Sequence, residues 1–215
     1  MSARAGITHL RPTRWCVLIS GRGSNLAALL EKPGIDVRLV VSNDPEAAGL
    51  AKARRAGVPT EVFVTRPATS ENGVAKKASL DWEQLERMLQ AYSIDAIFLL
   101  GFMRIVPPSF IEKWSGRILN LHPSLLPKYP GLRSIERAVK AEDDCGVSIH
   151  EVVSEVDAGR VLVSRTSVSK DIVSGFAAVT NRPEIYLEPI ETLVHVDEQR
   201  LVKEIVETWR PIRKP

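Results

Sequence analysis

Uninterrupted apolar runs alternate with helix-length segments through the first half of this chain, and that alternation leaves few folds open. Residues 15–20 form an apolar run that stops at a glycine-rich turn, Gly21-Arg-Gly-Ser24. Residues 25–31 read as a helix closed by Lys32-Pro33-Gly34. A β-branched run at 37–41 leads to a predicted helix over 45–56, with Pro45 near its first turn and Gly57 just past its end. Residues 61–64 give a short third strand, and the polar, aperiodic stretch 65–79 reads as a loop. Residues 80–92 place Leu85, Met88 and Leu89 on one helical face. Strands at 95–100 and 117–121 flank a short helix at 107–114. Strands apolar along their whole length are covered on both faces. The expected fold is therefore α/β, an open, mostly parallel twisted sheet with helices on both sides.

After residue 120 the pattern changes. A Pro-rich segment at 122–132 precedes a helix at 134–141, strands at 146–153 and 160–168, a loop-like stretch at 169–189 and a helix at 191–209. This organisation reads as a flexible extension over 1–14 and one domain over 15–215. The domain has a nucleotide-binding half at 15–115 and a second half at 116–215.

Composition excludes several classes. With 44% hydrophobic residues and a formal net charge of +3, the chain is neither disordered nor basic enough to argue for nucleic acid. Its basic pairs are short and scattered, as on solvated faces. Two cysteines, Cys16 and Cys145, fit free thiols in a reducing compartment. No run approaches the length of a membrane span, and the polar N-terminus lacks the apolar centre of a secretory signal, so a cytoplasmic protein is expected.

Three constellations carry chemistry. Gly23, Ser24 and Asn25 join a strand to a helix, where free N–H groups favour an anion. The third glycine of a dinucleotide fingerprint is absent, so the loop is a monophosphate site or a plain tight turn. Asn120 and His122 stand two residues apart at the end of a parallel strand, pointing the same way, where α/β sheets bind ligands. They pair an amide donor with a side chain that titrates near neutrality, or they are structural. Asp157, beside Gly159, is either a turn-former or a carboxylate aimed at the same cleft. His150 is a further cleft residue or a satisfied sheet residue.

In this order these elements resemble the folate-dependent formyltransferase family. The likeness rests on Val17-Leu-Ile-Ser-Gly-Arg-Gly-Ser-Asn-Leu26, Gly101-Phe-Met-Arg-Ile105, Ile118-Leu-Asn-Leu-His-Pro-Ser-Leu-Leu-Pro-Lys-Tyr-Pro-Gly131 and Gly146-Val-Ser-Ile-His150 through Asp157-Ala-Gly159. It runs from about residue 15 to 168. The resemblance implies a Rossmann-like fold, a folate and catalytic role for the second half, and 10-formyltetrahydrofolate as co-substrate with no metal. The acceptor it implies is the amine of glycinamide ribonucleotide, in purine synthesis. It implies catalytic roles for Asn120 on the oxyanion, His122 as charge stabiliser and general acid, and Asp157 holding His122 and raising its pKa. It assigns Gly23, Ser24 and Asn25 to the substrate phosphate and Glu198 to the ribose. Met103, Arg104, Ile105 and Val106 would line the folate site, backbone groups reading the pterin, with Asn120 beside them and Lys77 where the family usually has an arginine. A monomer or homodimer fits.

The sequence departs from the family where Arg133 and Ile135 replace frequent loop histidines, and in the unfamiliar stretches 66–79 and 175–189. Alternatives keep the cofactor and change the acceptor to methionyl-tRNA, a sugar amine or water. The transfer-RNA version calls for an extra C-terminal domain, and the hydrolase for an N-terminal regulatory domain and a histidine where Pro123 stands. A non-catalytic nucleotide-binding module is the reading from another class.

Overall fold

A computed structural model describes residues 11–63, 65–66, 79–180 and 182–212. The chain opens with β1 (Arg14–Ile19), α1 (Ser24–Leu30), β2 (Asp36–Ser42), α2 (Ala48–Arg55) and β3 (Thr60–Val62). Next come β4 (Thr65–Arg66), β5 (Ser79–Leu80), α3 (Trp82–Ala91), β6 (Ala96–Leu99), α4 (Pro108–Lys113) and β7 (Ile118–His122). The last elements are α5 (Ser134–Lys140), β8 (Cys145–Glu151), β9 (Val161–Val168), α6 (Lys170–Val179) and α7 (Pro183–Thr208).

The main sheet has the order β3-β2-β1-β6-β7-β8-β9. Its first five strands are parallel, while β8 is antiparallel to β7 and β9 to β8. The α/β, mostly parallel expectation holds. Chain order reverses between β1 and β6, so the carboxyl ends of β1, β6 and β7 face a common crevice, the usual place for a ligand.

Strand alternation divides the core in two. Trp15, Val17 and Ile19 pack toward α1, α5 and α7 through Leu26, Leu29, Val139, Val194 and Leu201. Cys16 and Leu18 pack toward α3 and α4 through Leu85, Leu89 and Phe110. At the amino end of β1, Arg11 and Arg14 both pair with Asp95.

The C-terminal region corrects the sequence reading. Within the stretch 169–189, expected as a loop, residues 170–179 form α6 and residues 183–189 the start of α7, so the last helix begins at Pro183 instead of Glu191. Pro189 has no N–H for the Ile185 carbonyl. The helix nevertheless runs through it, because Tyr186 and Ile190 bury their side chains and Tyr186 stacks on Phe176 at 5.5 Å. A smaller correction concerns the stretch 65–80. Its ends pair as β4 and β5, and α3 starts after Asp81, whose carboxylate caps Gln84 N–H at 3.0 Å. Among the described residues no helix is long and apolar enough to cross a membrane.

Candidate active site

The site grows from the last turn of β7. Asn120 and His122 share a face of that strand, and β8 sets His150 opposite Asn120 and Ser148 opposite His122. Asp157 lies in the turn from β8 to β9 with φ 55, a left-handed conformation that aspartate tolerates better than most residues. Gly159 closes this turn, because a Cβ there would sit 1.7 Å from the Glu151 carbonyl oxygen.

These residues converge. His122 Nδ1 is 3.4 Å from Asp157 Oδ2, and His150 Nε2 is 3.4 Å from Asp157 Oδ1. Gly131 N–H donates to Asp157 Oδ2 at 2.7 Å. Asn120 Nδ2 donates to His150 Nε2 at 3.1 Å and to Asp157 Oδ1 at 3.4 Å, the second at the long limit of a hydrogen bond. His150 Nδ1 donates to the Glu151 carbonyl at 2.9 Å, which leaves Nε2 as the acceptor for Asn120. His150 therefore belongs to the site.

The protonation states follow from these contacts. Burial pushes the Asp157 carboxyl up, but the contact with His150, the hydrogen bond from the Gly131 N–H and the neighbouring His122 bring it down to about 2. Asp157 is a carboxylate at any working pH. For His122 the expected upward shift is reversed. Burial lowers its pKa by more than Asp157 and the Tyr129 carbonyl raise it. Asp157 acts in the expected direction and is outweighed by desolvation.

A cavity of about 480 Å³ lies over this cluster. Asn120, His122 and Asp157 line it together with Met103, Arg104, Ile105 and Val106, so the expected catalytic and folate residues share one space. Four apolar residues line it, Met103, Ile105, Leu132 and Val156, all more than half exposed. Met103 N–H is held by Ser20 Oγ at 2.8 Å, so this residue does not offer its N–H to a ligand. Lys77 lies outside the described residues.

The glycine loop forms a second group. Gly23 has φ 63 and abuts Gly49, whose Cα would be 2.7 Å from a Cβ at position 23. Tight packing of α2 on this loop thus requires the glycine independently of any ligand. Ser24 opens α1, and Asn25 Nδ2 donates to Glu198 Oε2 at 3.0 Å. The same Glu198 oxygen accepts from His195 Nδ1 at 2.6 Å, and this bond raises the His195 pKa. Asn25 Oδ1 is buried with no partner among the described residues. The Asn25 contact thus brings Glu198 to the glycine loop, although none of Gly23, Ser24, Asn25 and Glu198 lines the cavity.

Sequence reasoning missed the hydroxyls that hold the parts in register. Ser20 Oγ ties the end of β1 to both Asn43 and Met103. Ser148 Oγ donates to the Ser124 carbonyl and accepts from Leu126 N–H, pinning the Pro-rich segment to β8. Ser148 sits two residues before His150 in an apolar run, the one signal that a buried hydroxyl needed partners.

Residues 13–171 match the formyl transferase family. The chain belongs to that family. Over 153 residues it is 39% identical to phosphoribosylglycinamide formyltransferase of Escherichia coli, covering 68% of this chain and 69% of that protein. It is 44% identical over 161 residues to the trifunctional purine biosynthetic protein adenosine-3 of Drosophila melanogaster, matching 71% of this chain and only 11% of that much longer protein. Among solved structures, phosphoribosylglycinamide formyltransferase from Anaplasma phagocytophilum superposes with a TM-score of 0.75 at 31% identity. That superposition covers 91% of this chain and 86% of the other. The formyl transferase match ends at residue 171, within the first turn of α6, whereas the structural likeness extends into α7.

Proposed function

We propose that the chain transfers the formyl group of 10-formyltetrahydrofolate to the amine of glycinamide ribonucleotide, a step of purine synthesis in the cytoplasm. The convergence of Asn120, His122, His150 and Asp157 under an apolar cavity, in a chain of the formyl transferase family, carries this reading. The apolar walls suit the flat pterin ring. The loop of Gly23, Ser24 and Asn25, with Glu198, suits the phosphate and ribose of the acceptor, and a ribose hydroxyl can donate to the buried Asn25 Oδ1.

The acceptor amine forms a bond to the formyl carbon, and the bond from that carbon to the folate nitrogen breaks. The amine gives up a proton and the departing nitrogen gains one. Negative charge develops on the formyl oxygen in between. Asn120 meets it by turning its long bond to Asp157 toward the oxygen, a change that loses little. His122 supplies positive charge beside it and acts as general acid toward the leaving nitrogen, and Asp157 holds the ring and compensates its charge. Lys77 is placed near the folate by family likeness alone.

The test is the absorbance change of the folate with purified protein, with and without the ribonucleotide. Turnover that requires the ribonucleotide supports the proposal. Turnover without an acceptor makes the protein a hydrolase, and folate binding without turnover moves the acceptor to another amine.

A further inference from the structure

Outside the cavity, one cluster has a direct line to His122. Tyr129 sits in the segment after β7 with φ 54, which an aromatic residue adopts only when its surroundings impose it. Its hydroxyl donates to Asp143 Oδ2 at 3.0 Å, and Lys128 Nζ reaches the same carboxylate at 2.8 and 3.0 Å. The Arg137 guanidinium lies 5.7 Å from the ring centre and donates to the Pro130 carbonyl. Asp143 is itself anchored between α5 and β8. Its N–H donates to the Ala138 carbonyl at 3.0 Å, and Asp144 N–H donates to its Oδ1 at 2.8 Å. Lys128, Tyr129 and Asp143 do not line the cavity.

The backbone that this cluster fixes is the one that meets the ring. The Tyr129 carbonyl accepts from His122 Nε2 at 3.1 Å, on the side opposite Asp157. A carbonyl has no proton to give, so Nε2 must carry the hydrogen. The neutral ring would then turn the Nδ1 lone pair toward a carboxylate, and only the imidazolium donates to both partners. We propose that Asp143 is a positioning residue for His122, fixing Tyr129 so that its carbonyl holds Nε2–H and selects the protonated ring. The other groups facing His122 are Asp157 from the β8–β9 turn, His150 from β8 and Arg137 from α5. Asp157 and the Tyr129 carbonyl favour the charged ring, and His150 and Arg137 oppose it. Removing the carbonyl contact therefore shifts the ring toward neutrality. The kinetic readout rests on the formyl-transfer reading, whereas the titration of the ring does not.

The experiment follows the His122 ring by NMR titration in the full chain, its signal identified by its loss in His122→Asn. Asp143→Ala is expected to lower the His122 pKa by about one unit, the worth of a hydrogen bond to a charged donor. Asp143→Asn, which still accepts from the tyrosine hydroxyl, is expected to lower it less, and Tyr129→Phe to lower it as well. In formyl transfer the alkaline limb of kcat moves to lower pH in the same order, with KM for both substrates within about twofold. An unchanged His122 titration in all three variants overturns the proposal, as does a loss of kcat by one factor at every pH. If Asp143→Ala does not fold, Asp143→Asn and Tyr129→Phe decide. If the unmodified chain transfers no formyl group, the function falls while the titration still decides the role of Asp143.

Discussion

Replacing Asp157 by asparagine separates charge from shape at the centre of the site. Asparagine tolerates the left-handed backbone at φ 55, and its oxygen can still accept the Gly131 N–H, so the turn survives. What disappears is the negative charge 3.4 Å from His122 Nδ1, where both side chains are less than a tenth exposed. At an effective dielectric constant of about 20, unit charges 3.4 Å apart attract by about 5 kcal/mol, and halving this for residual screening leaves roughly 2.5 kcal/mol, or about two pH units. The protonated fraction of His122 near neutrality should fall about a hundredfold, and kcat with it. The assay is steady-state formyl transfer over a range of pH, paired with a thermal melt. The melting temperature should fall by no more than about 8 °C, the shift for roughly 2 kcal/mol in a chain of this size. A kcat within about threefold of the unmodified protein, or a loss of activity that only tracks a collapse in melting temperature, would refute the reasoning.

Other substitutions probe the surroundings. Gly159→Ala puts a Cβ 1.7 Å from the Glu151 oxygen, so about 3 kcal/mol or more of stability should be lost in a denaturant melt. Any folded fraction should show kcat reduced about a hundredfold, because Asp157 is displaced. The His195 pKa is raised above its ordinary 6.5 by the bond to Glu198, so its stabilisation is complete below pH 6.5 and is lost as pH rises through the folded pKa. Melts of Glu198→Gln across that window should lose this decline, and an identical decline would exclude the pair as its source. Asp157, held at about 2 against an ordinary 3.8, stabilises the fold above pH 3.8 and stops doing so as pH falls through 2, so Asp157→Asn should flatten the acid side of the stability curve. Ile190→Ala should cost about 2–4 kcal/mol, whereas a cost near zero would mean that the early part of α7 is not packed on the core.

The parallel sheet was legible in the sequence because buried stretches such as 15–19 and 96–100 are apolar throughout. The convergence of Asn120 and His122 was legible because a strand fixes which side chains share a face. The partners of these residues were not, since His150 reaches Asn120 only through the β7–β8 register, a long-range pairing with no local signature. The sign of the His122 shift was likewise hidden, because desolvation is set by the whole fold and the attraction to Asp157 by one contact. Residues 169–189 failed for another reason. Their local character is mixed, and the helix through Pro189 is set by the tertiary burial of Tyr186 and Ile190, which has no local signature.

The most direct measurement is the fate of an isotopically labelled formyl group. The purified chain is given labelled 10-formyltetrahydrofolate and glycinamide ribonucleotide, and the products are read by mass spectrometry. Formyl transfer through Asn120, His122 and Asp157 requires the label on the ribonucleotide amine, with little released as formate and little of either in His122→Asn. Label released as formate regardless of the ribonucleotide, or transfer undiminished in His122→Asn, would contradict it.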